Sequence, residues 1–212
     1  REVWDTGVLG FKCFLVHSGI DEFPNATRDD LEAAMPALRD LGAVLLVHAE
    51  MPWVIDAARG ASGLDADPRS YAKYLASRPP ESETRAIEMM IELCRRHRGA
   101  VHIVHVATGE AIGALRAARG EGLPITAETC SHYLALAAEE IGDGETIYKC
   151  APPIRGRANG ERLWEALRAG DLDLVASDHS PCPPRMKRID SGSLVDAWGG
   201  ISSLQLTLPV VW

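Results

Sequence analysis

Residues 42–50 read "GAVLLVHAE". Five apolar residues follow Gly42 without a break, and the run then stops on His48. It is too short for a helix and carries β-branched valines, which describes a strand of a parallel sheet rather than a half-solvated one. The same pattern recurs at "LGFKCFLV" (9–16), "AVHIVHVA" (100–107), "LPITAETC" (123–130) and "LDLVASD" (172–178). Between these runs lie amphipathic stretches at helical spacing: 27–42, 81–99, 108–122 and 156–171. The helix over 81–99 is expected to start at Ser82, and Gly42, Gly99 and Gly120 are expected to close their helices. Alternating strands and helices imply an α/β fold with a parallel sheet covered on both faces.

What separates a barrel from an open doubly wound sheet is the strand ends. Four of the five runs finish near a residue of ligand or acid type: His48, His105, Glu128 and Asp178. The fifth carries Lys12. In a (β/α)8 barrel the C-terminal ends of the strands converge on the face where chemistry is done, and packing alone gives no reason for such a ring. The expected fold is therefore a partial (β/α)8 barrel over residues 1–212, with about five of the eight units present. The chain starts at Arg1 and stops inside the apolar "LTLPVVW", as expected of an internal piece of a longer protein. Residues 51–80, rich in Gly, Pro, Asp and Ser, interrupt the rhythm. They read either as an insertion covering the catalytic face or as a surface loop without catalytic duty.

Composition narrows the function. The chain has 212 residues, 46% hydrophobic and 25% charged, with a formal charge of −8. An acidic balance argues against a nucleic-acid partner, which would want a concentrated basic face. No uninterrupted apolar run approaches the length of a membrane span. Cys13, Cys94, Cys130, Cys150 and Cys182 are odd in number and scattered, the usage of reduced thiols in a cytoplasm.

Histidine and carboxylate are the usual ligands of zinc and related divalent ions. Singly, His48, His105 or Asp178 reads equally well as a hydrogen-bonded structural residue. On the same edge of one sheet, together with Lys12, they point to a metal site. Lys12 has two readings. As a neutral amine it could add CO₂ and bridge two cations as a carbamate; as an ammonium it could reach solvent or an acid such as Glu50 or Glu128. The pattern alone does not decide between them. His102 precedes His105 by three positions, so a continuous pleat would turn it to the opposite face, and it is left out of the site with His97 and His132. His179 could support Asp178 from behind, Glu128 could orient a ligand, and Cys13, Cys150 and Cys182 flank the motifs.

The blocks "GFKCFLVHSG", "LLVHAE", "HIVHVATGEAI", "ITAETCSHYL", "YKCAPPIR", "VASDHSPC" and "AWGGISSLQ", in this order across the whole chain, closely resemble the allantoinase family of cyclic amidohydrolases. The resemblance implies a binuclear centre in a (β/α)8 barrel, with two divalent ions (zinc first; cobalt, manganese, iron or nickel as alternatives). Carboxylated Lys12 would bridge them, with His48, His105 and Asp178 as further ligands. It makes Asp178 the proton shuttle in hydrolysis of the cyclic amide of allantoin to allantoate. It also implies a homo-oligomer, a tetramer in relatives. Dihydropyrimidinases carry a tyrosine where this chain has His17, and dihydroorotases usually read "DxAPH" where this chain reads "DHSPC". Both differences favour the allantoinase branch over those alternatives. His17 would hold the substrate oxyanion or support the site from behind, and Ala151 and Gly199 would contact the substrate ring through backbone groups. The His-x-His pair that holds the family's first metal does not occur in the chain. The resemblance places Lys12 on the fourth strand, so the chain would hold about strands 4 to 8. The first strands with the His-x-His pair, and any flanking β-sandwich, are expected outside it, and the piece alone is expected to be inactive. Retention of all four ligand-type residues argues against a non-catalytic assembly protein.

Overall fold

The computed structural model describes residues 1–212. Five strands, β1 (Gly10–Phe14), β2 (Val44–His48), β3 (Val101–Ile103), β4 (Ile125–Cys130) and β5 (Leu174–Ala176), form one sheet in sequential order, every neighbouring pair parallel. The helices are α1 (Glu2–Asp5), α2 (Arg28–Leu41), α3 (Pro52–Ser62), α4 (Tyr71–Ser77), α5 (Pro80–His97), α6 (Ile112–Gly120), α7 (Ser131–Ala135), α8 (Arg157–Ala169) and α9 (Leu204–Val211).

Strand order decides the architecture. Crossovers between parallel strands are right-handed, so an order that never reverses leaves every crossover helix on the same side of the sheet. A doubly wound sheet needs a reversal; this sheet has none. Burial agrees. Leu45, Val47, Val101, Ile103, Ile125 and Ala127 pack under the helices in one core with Leu31, Met35, Met90, Leu115 and Leu163. The alternate row, Lys12, Leu46, His102 and Thr126, lies in register across four strands and is less buried, with Lys12 and Thr126 exposed. The expected helix cover on both faces is thus corrected. Helices cover one face, and the other is the inner face of a barrel sector.

Local signals set the element ends. At α2, the Thr27 hydroxyl accepts the Asp30 N–H while the Asp30 carboxylate accepts the Thr27 N–H at 2.8 Å, a closed capping box. Gly42 ends α2 in the left-handed region, as expected. The other two glycine stops are corrected. α5 ends at Arg98 with φ 57°, and Gly120 lies inside α6, the left-handed turn falling at Gly122. α5 also begins earlier than Ser82, at Pro80, whose missing N–H costs nothing in a first turn. Residues 51–80 hold two helices rather than a loop. Tyr71 and Tyr74 of α4 are buried, their hydroxyls donating to the Ile154 and Cys150 carbonyls at 2.9 and 2.6 Å.

Candidate active site

An open cavity of about 900 Å³ lies at the C-terminal ends of the strands. Lys12, His17, His48, His105, Ala151, Asp178 and Gly199 all line it. His48 is the last residue of β2, opposite Phe14 of β1, whose ring stacks on the imidazole at 5.0 Å. The rings of His48 and His105 meet edge to face, with centroids 4.6 Å apart. A Cβ built on Gly199 would stand 3.9 Å from the Ala151 Cβ, so these two positions face each other across the wall.

His105 and Asp178 share a backbone peculiarity. Both lie just past a strand end with positive φ, 41° and 42°, and only Arg98 and Arg188 among other non-glycine residues do the same. Side chains with a Cβ adopt this region at a cost of about 1–3 kcal/mol, and such residues cluster at functional sites. The turn also corrects the placing of His102. The pleat ends at Ile103, so the alternation argument does not carry through to His105. The His102 ring lies on the inner row with Lys12, its Nδ1 2.7 Å from Thr126 Oγ1 and its Nε2 3.1 Å from Glu128 Oε2.

Charge is arranged around the cavity with few free partners. Lys12 forms no ion pair with Glu50 or Glu128; its Nζ lies 5.0 Å from the centre of the Phe14 ring. Glu128 pairs with His102 instead. Glu50 is fully buried, accepting from Arg78 Nη1 at 2.6 Å and meeting His48 Nε2 at 2.8 Å. Burial raises its carboxyl, but Arg78 and His48 outweigh that and bring it down to about 2. Burial, then the proximity of His48 and Lys12, holds His105 well below the ordinary imidazole range. It is neutral at pH 7, with a lone pair free for a cation. Burial raises Asp178 against the lowering pull of Lys12 and His48. His17 stands at the open rim, its Nε2 3.4 Å from Asp21 and its Nδ1 accepting the Gly19 N–H at 3.1 Å.

The arrangement fits a cation in part. Two touching imidazoles, one neutral by burial, with a carboxylate on the same wall are suitable donors. The His48 and His105 rings with Asp178 do not close into a three-donor cluster, however, and no group of three His, Cys, Asp or Glu in the chain does so. His179 is structural: its Nδ1 accepts the N–H groups of Ser203 and Leu204 at 3.1 and 3.2 Å, where α9 begins.

No family model matches the chain. Among curated proteins it is 44% identical over 206 residues to "Allantoinase, mitochondrial" of Aquarana catesbeiana, covering 97% of this chain and 42% of that protein. It is 44% identical over 209 residues to the allantoinase of Saccharomyces cerevisiae, covering 97% of this chain and 45% of that one. The chain is similar to the allantoinases. It spans less than half the length of these two relatives. Among solved structures, the L-hydantoinase (dihydropyrimidinase) from Arthrobacter aurescens superposes with a TM-score of 0.91 at 28% identity, over all of this chain and 47% of that one. A D-hydantoinase gives a TM-score of 0.88 at 26% identity, over 99% of this chain and 46% of that one. The fold is thus a sector of the amidohydrolase barrel, and the chain is nearer in sequence to allantoinases than to the hydantoinases that share its shape.

Several cavity residues are not among those to which the allantoinase-like blocks assign a role. Tyr74 and Arg78 enter the wall from the 51–80 region, and Lys149 and Trp198 flank Ala151 and Gly199. Arg78 could have been found only by asking what cation would make Glu50 tolerable in a core.

Proposed function

We propose that this chain forms the catalytic-face sector of an allantoinase, a hydrolase that opens the hydantoin ring of allantoin to give allantoate. The observation that carries the reading is that all seven motif-derived residues line one cavity in a chain 44% identical to allantoinases. Lys12, His48, His105 and Asp178 would hold two divalent ions, zinc first, with Lys12 as a carbamate contributing the oxygen donors that the unmodified amine lacks. Such ions, when bound, polarise a carbonyl and lower the pKa of water towards neutrality. Asp178 would accept the proton of the attacking water and return it to the amide nitrogen as the ring C–N bond breaks. His17 would donate to the developing oxyanion, while backbone groups at Ala151 and Gly199 orient the planar ring.

Five free thiols support a reducing compartment, the cytoplasm, although one relative is named mitochondrial. No helix is long and apolar enough to cross a membrane. Assembly as a homo-oligomer, a tetramer, is part of the same reading.

The test is ring opening by the full-length gene product, supplied with zinc and bicarbonate, on allantoin, hydantoin, dihydrouracil and dihydroorotate. Allantoin should be turned over best. Asp178→Asn should lower kcat by about 10²–10⁴-fold with the fold intact. Preference for dihydrouracil would move the protein to the dihydropyrimidinase branch, and a protein that takes up no metal would end the enzyme reading.

A further inference from the structure

Behind the two cavity histidines runs a buried polar chain. Glu50 Oε2 meets His48 Nε2 at 2.8 Å and accepts from Arg78 Nη1 at 2.6 Å, with Glu50 fully buried. The Arg78 carbonyl accepts from Arg155 Nη1 at 3.1 Å. Arg155 in turn donates from Nη2 to Glu83 Oε1 at 2.6 Å, and Glu83 Oε2 accepts the Ala107 N–H at 2.8 Å. The path therefore begins on the ring of His48 and ends on the backbone two residues beyond His105. Asn159 and Thr129 extend the grip, donating to the carbonyls of Ala107 and Val106 at 2.8 Å each.

Two buried carboxylates held by one buried guanidinium, Arg155, and one partly buried at the cavity wall, Arg78, are a poor way to gain stability. Desolvation consumes much of the attraction, and an apolar cluster of the same volume is often as stable. What such a network does supply is direction. A ring nitrogen tied to a buried carboxylate cannot rotate freely, and it carries its hydrogen on the tied atom. With Nε2 of His48 engaged, Nδ1 is the nitrogen left to face the cavity.

We propose that Glu50 is a positioning residue that fixes the His48 ring with its proton on Nε2, presenting Nδ1 to a cation in the cavity. The Arg78–Arg155–Glu83 chain holds the His105 segment in the matching place. This rests on the reading that His48 and His105 serve a metal, but its first readout does not depend on that reading. In ¹⁵N-labelled protein, long-range ring correlations should show His48 protonated at Nε2 and bare at Nδ1. Its Nε2 proton should exchange slowly and resonate downfield, as expected of a bond to a carboxylate. His48→Asn assigns the signal. Glu50→Gln, which keeps an acceptor, should retain the signal, and Glu50→Ala should lose it while the backbone spectrum stays folded. Titrated with zinc alone, Glu50→Ala should bind about 10–100-fold more weakly than wild type, with Glu50→Gln between them.

A His48 proton on Nδ1 in the wild type overturns the proposal, and that measurement needs no variant to fold. A slow Nε2 proton that survives in Glu50→Ala, with zinc affinity unchanged, overturns it as well. A wild type that binds no zinc but shows the tethered tautomer would sink the metal reading and with it the presentation of Nδ1 to a cation, leaving only the hold of Glu50 on the His48 ring.

Discussion

His132 is completely buried in α7, and neither of its ring nitrogens has a hydrogen-bond partner. Its nearest aromatic neighbour is Tyr133, with ring centroids 4.2 Å apart. Burial lowers its pKa from 6.5 to about 4. Between those values the unfolded chain binds a proton that the folded chain refuses, so stability rises with pH through the window and falls on acidification. At pH 5 the loss from this one residue is about 2 kcal/mol. His132→Leu should remove that acid-side loss. At pH 7 it should be no less stable than wild type, because two orphaned polar atoms, worth about 1–3 kcal/mol when buried, leave with it. Urea melts at pH 7 and pH 5 check both statements. A variant as acid-sensitive as its parent would place the acid response elsewhere.

At the scale of elements, the wall carrying Ala151 and Gly199 is held by ammonium groups rather than ion pairs. Lys187 Nζ donates to the carbonyls of Thr146, Lys149 and Trp198 at 3.2, 2.8 and 3.1 Å, and Lys149 Nζ donates to those of Val195 and Ala197 at 3.3 and 2.5 Å. Neither lysine meets a carboxylate. Burial, reinforced by Arg78 and Lys187, lowers Lys149 from 10.5 to about 8. The folded chain thus sheds this proton near pH 8 while the unfolded chain keeps it to 10.5, and stability contributed here rises with pH across that interval. The partly buried thiol of Cys13 and the buried one of Cys150, pushed up by desolvation to about 11 and about 12, work in the opposite sense. They cancel when wild type is compared with Lys149→Met. The stability of wild type relative to Lys149→Met should rise by about 2 kcal/mol between pH 7.5 and 9.5, read from denaturant melts. A difference that is flat in pH would mean Lys149 titrates normally.

Legibility also divides at this scale. β1, β2 and β4 are plain in the apolar runs because their outward side chains all enter one core. The helices of residues 51–80 are hidden. α3 contains Gly60 and α4 is only seven residues long, so their formation rests on the burial of Val54 and Ile55 in α3 and of Tyr71 and Tyr74 in α4 rather than on local preference. The face of His102 lies beyond the reach of the alternation rule, since no pattern of residue types announces that His105 has a positive φ, yet His102 does not line the cavity. His48, His105 and Asp178 could be picked out because each stands at or just past a strand end where packing gives no reason for it, and Lys12 because a lysine inside an apolar strand is costly. Glu50, Arg78 and Arg155 could not, since their meaning lies in contacts up to 77 positions apart.

At the scale of the whole 212-residue chain, the sheet has a helix-covered face, an inner face without helices and, within this chain, two edge strands. β1 and β5 are paired on one side only, whereas β2, β3 and β4 are paired on both. Val47, Ile103 and Ala127, at the centre of the sheet, have essentially no exposure, while Lys12 in β1 and Leu174 in β5 are exposed. Local opening therefore needs fewer broken contacts at the edges than in the middle. Surface ion pairs such as Arg28–Glu92 and Arg95–Glu121, about half exposed, add little to this ordering. Arg155–Glu83 differs, because it is buried and ties α5 to the segment before α8. Arg155→Met should strand the Glu83 carboxylate and cost about 3–5 kcal/mol. In native-state hydrogen exchange, the hydrogen-bonded amides of β2–β4 should be slowest and those of β1 and β5 faster by on the order of 100-fold. Arg155→Met should speed the central strands, because it lowers the global limit, and should move the edge strands far less. Edge amides as slow as those of β3 would show that the inner face and the edges are covered in solution.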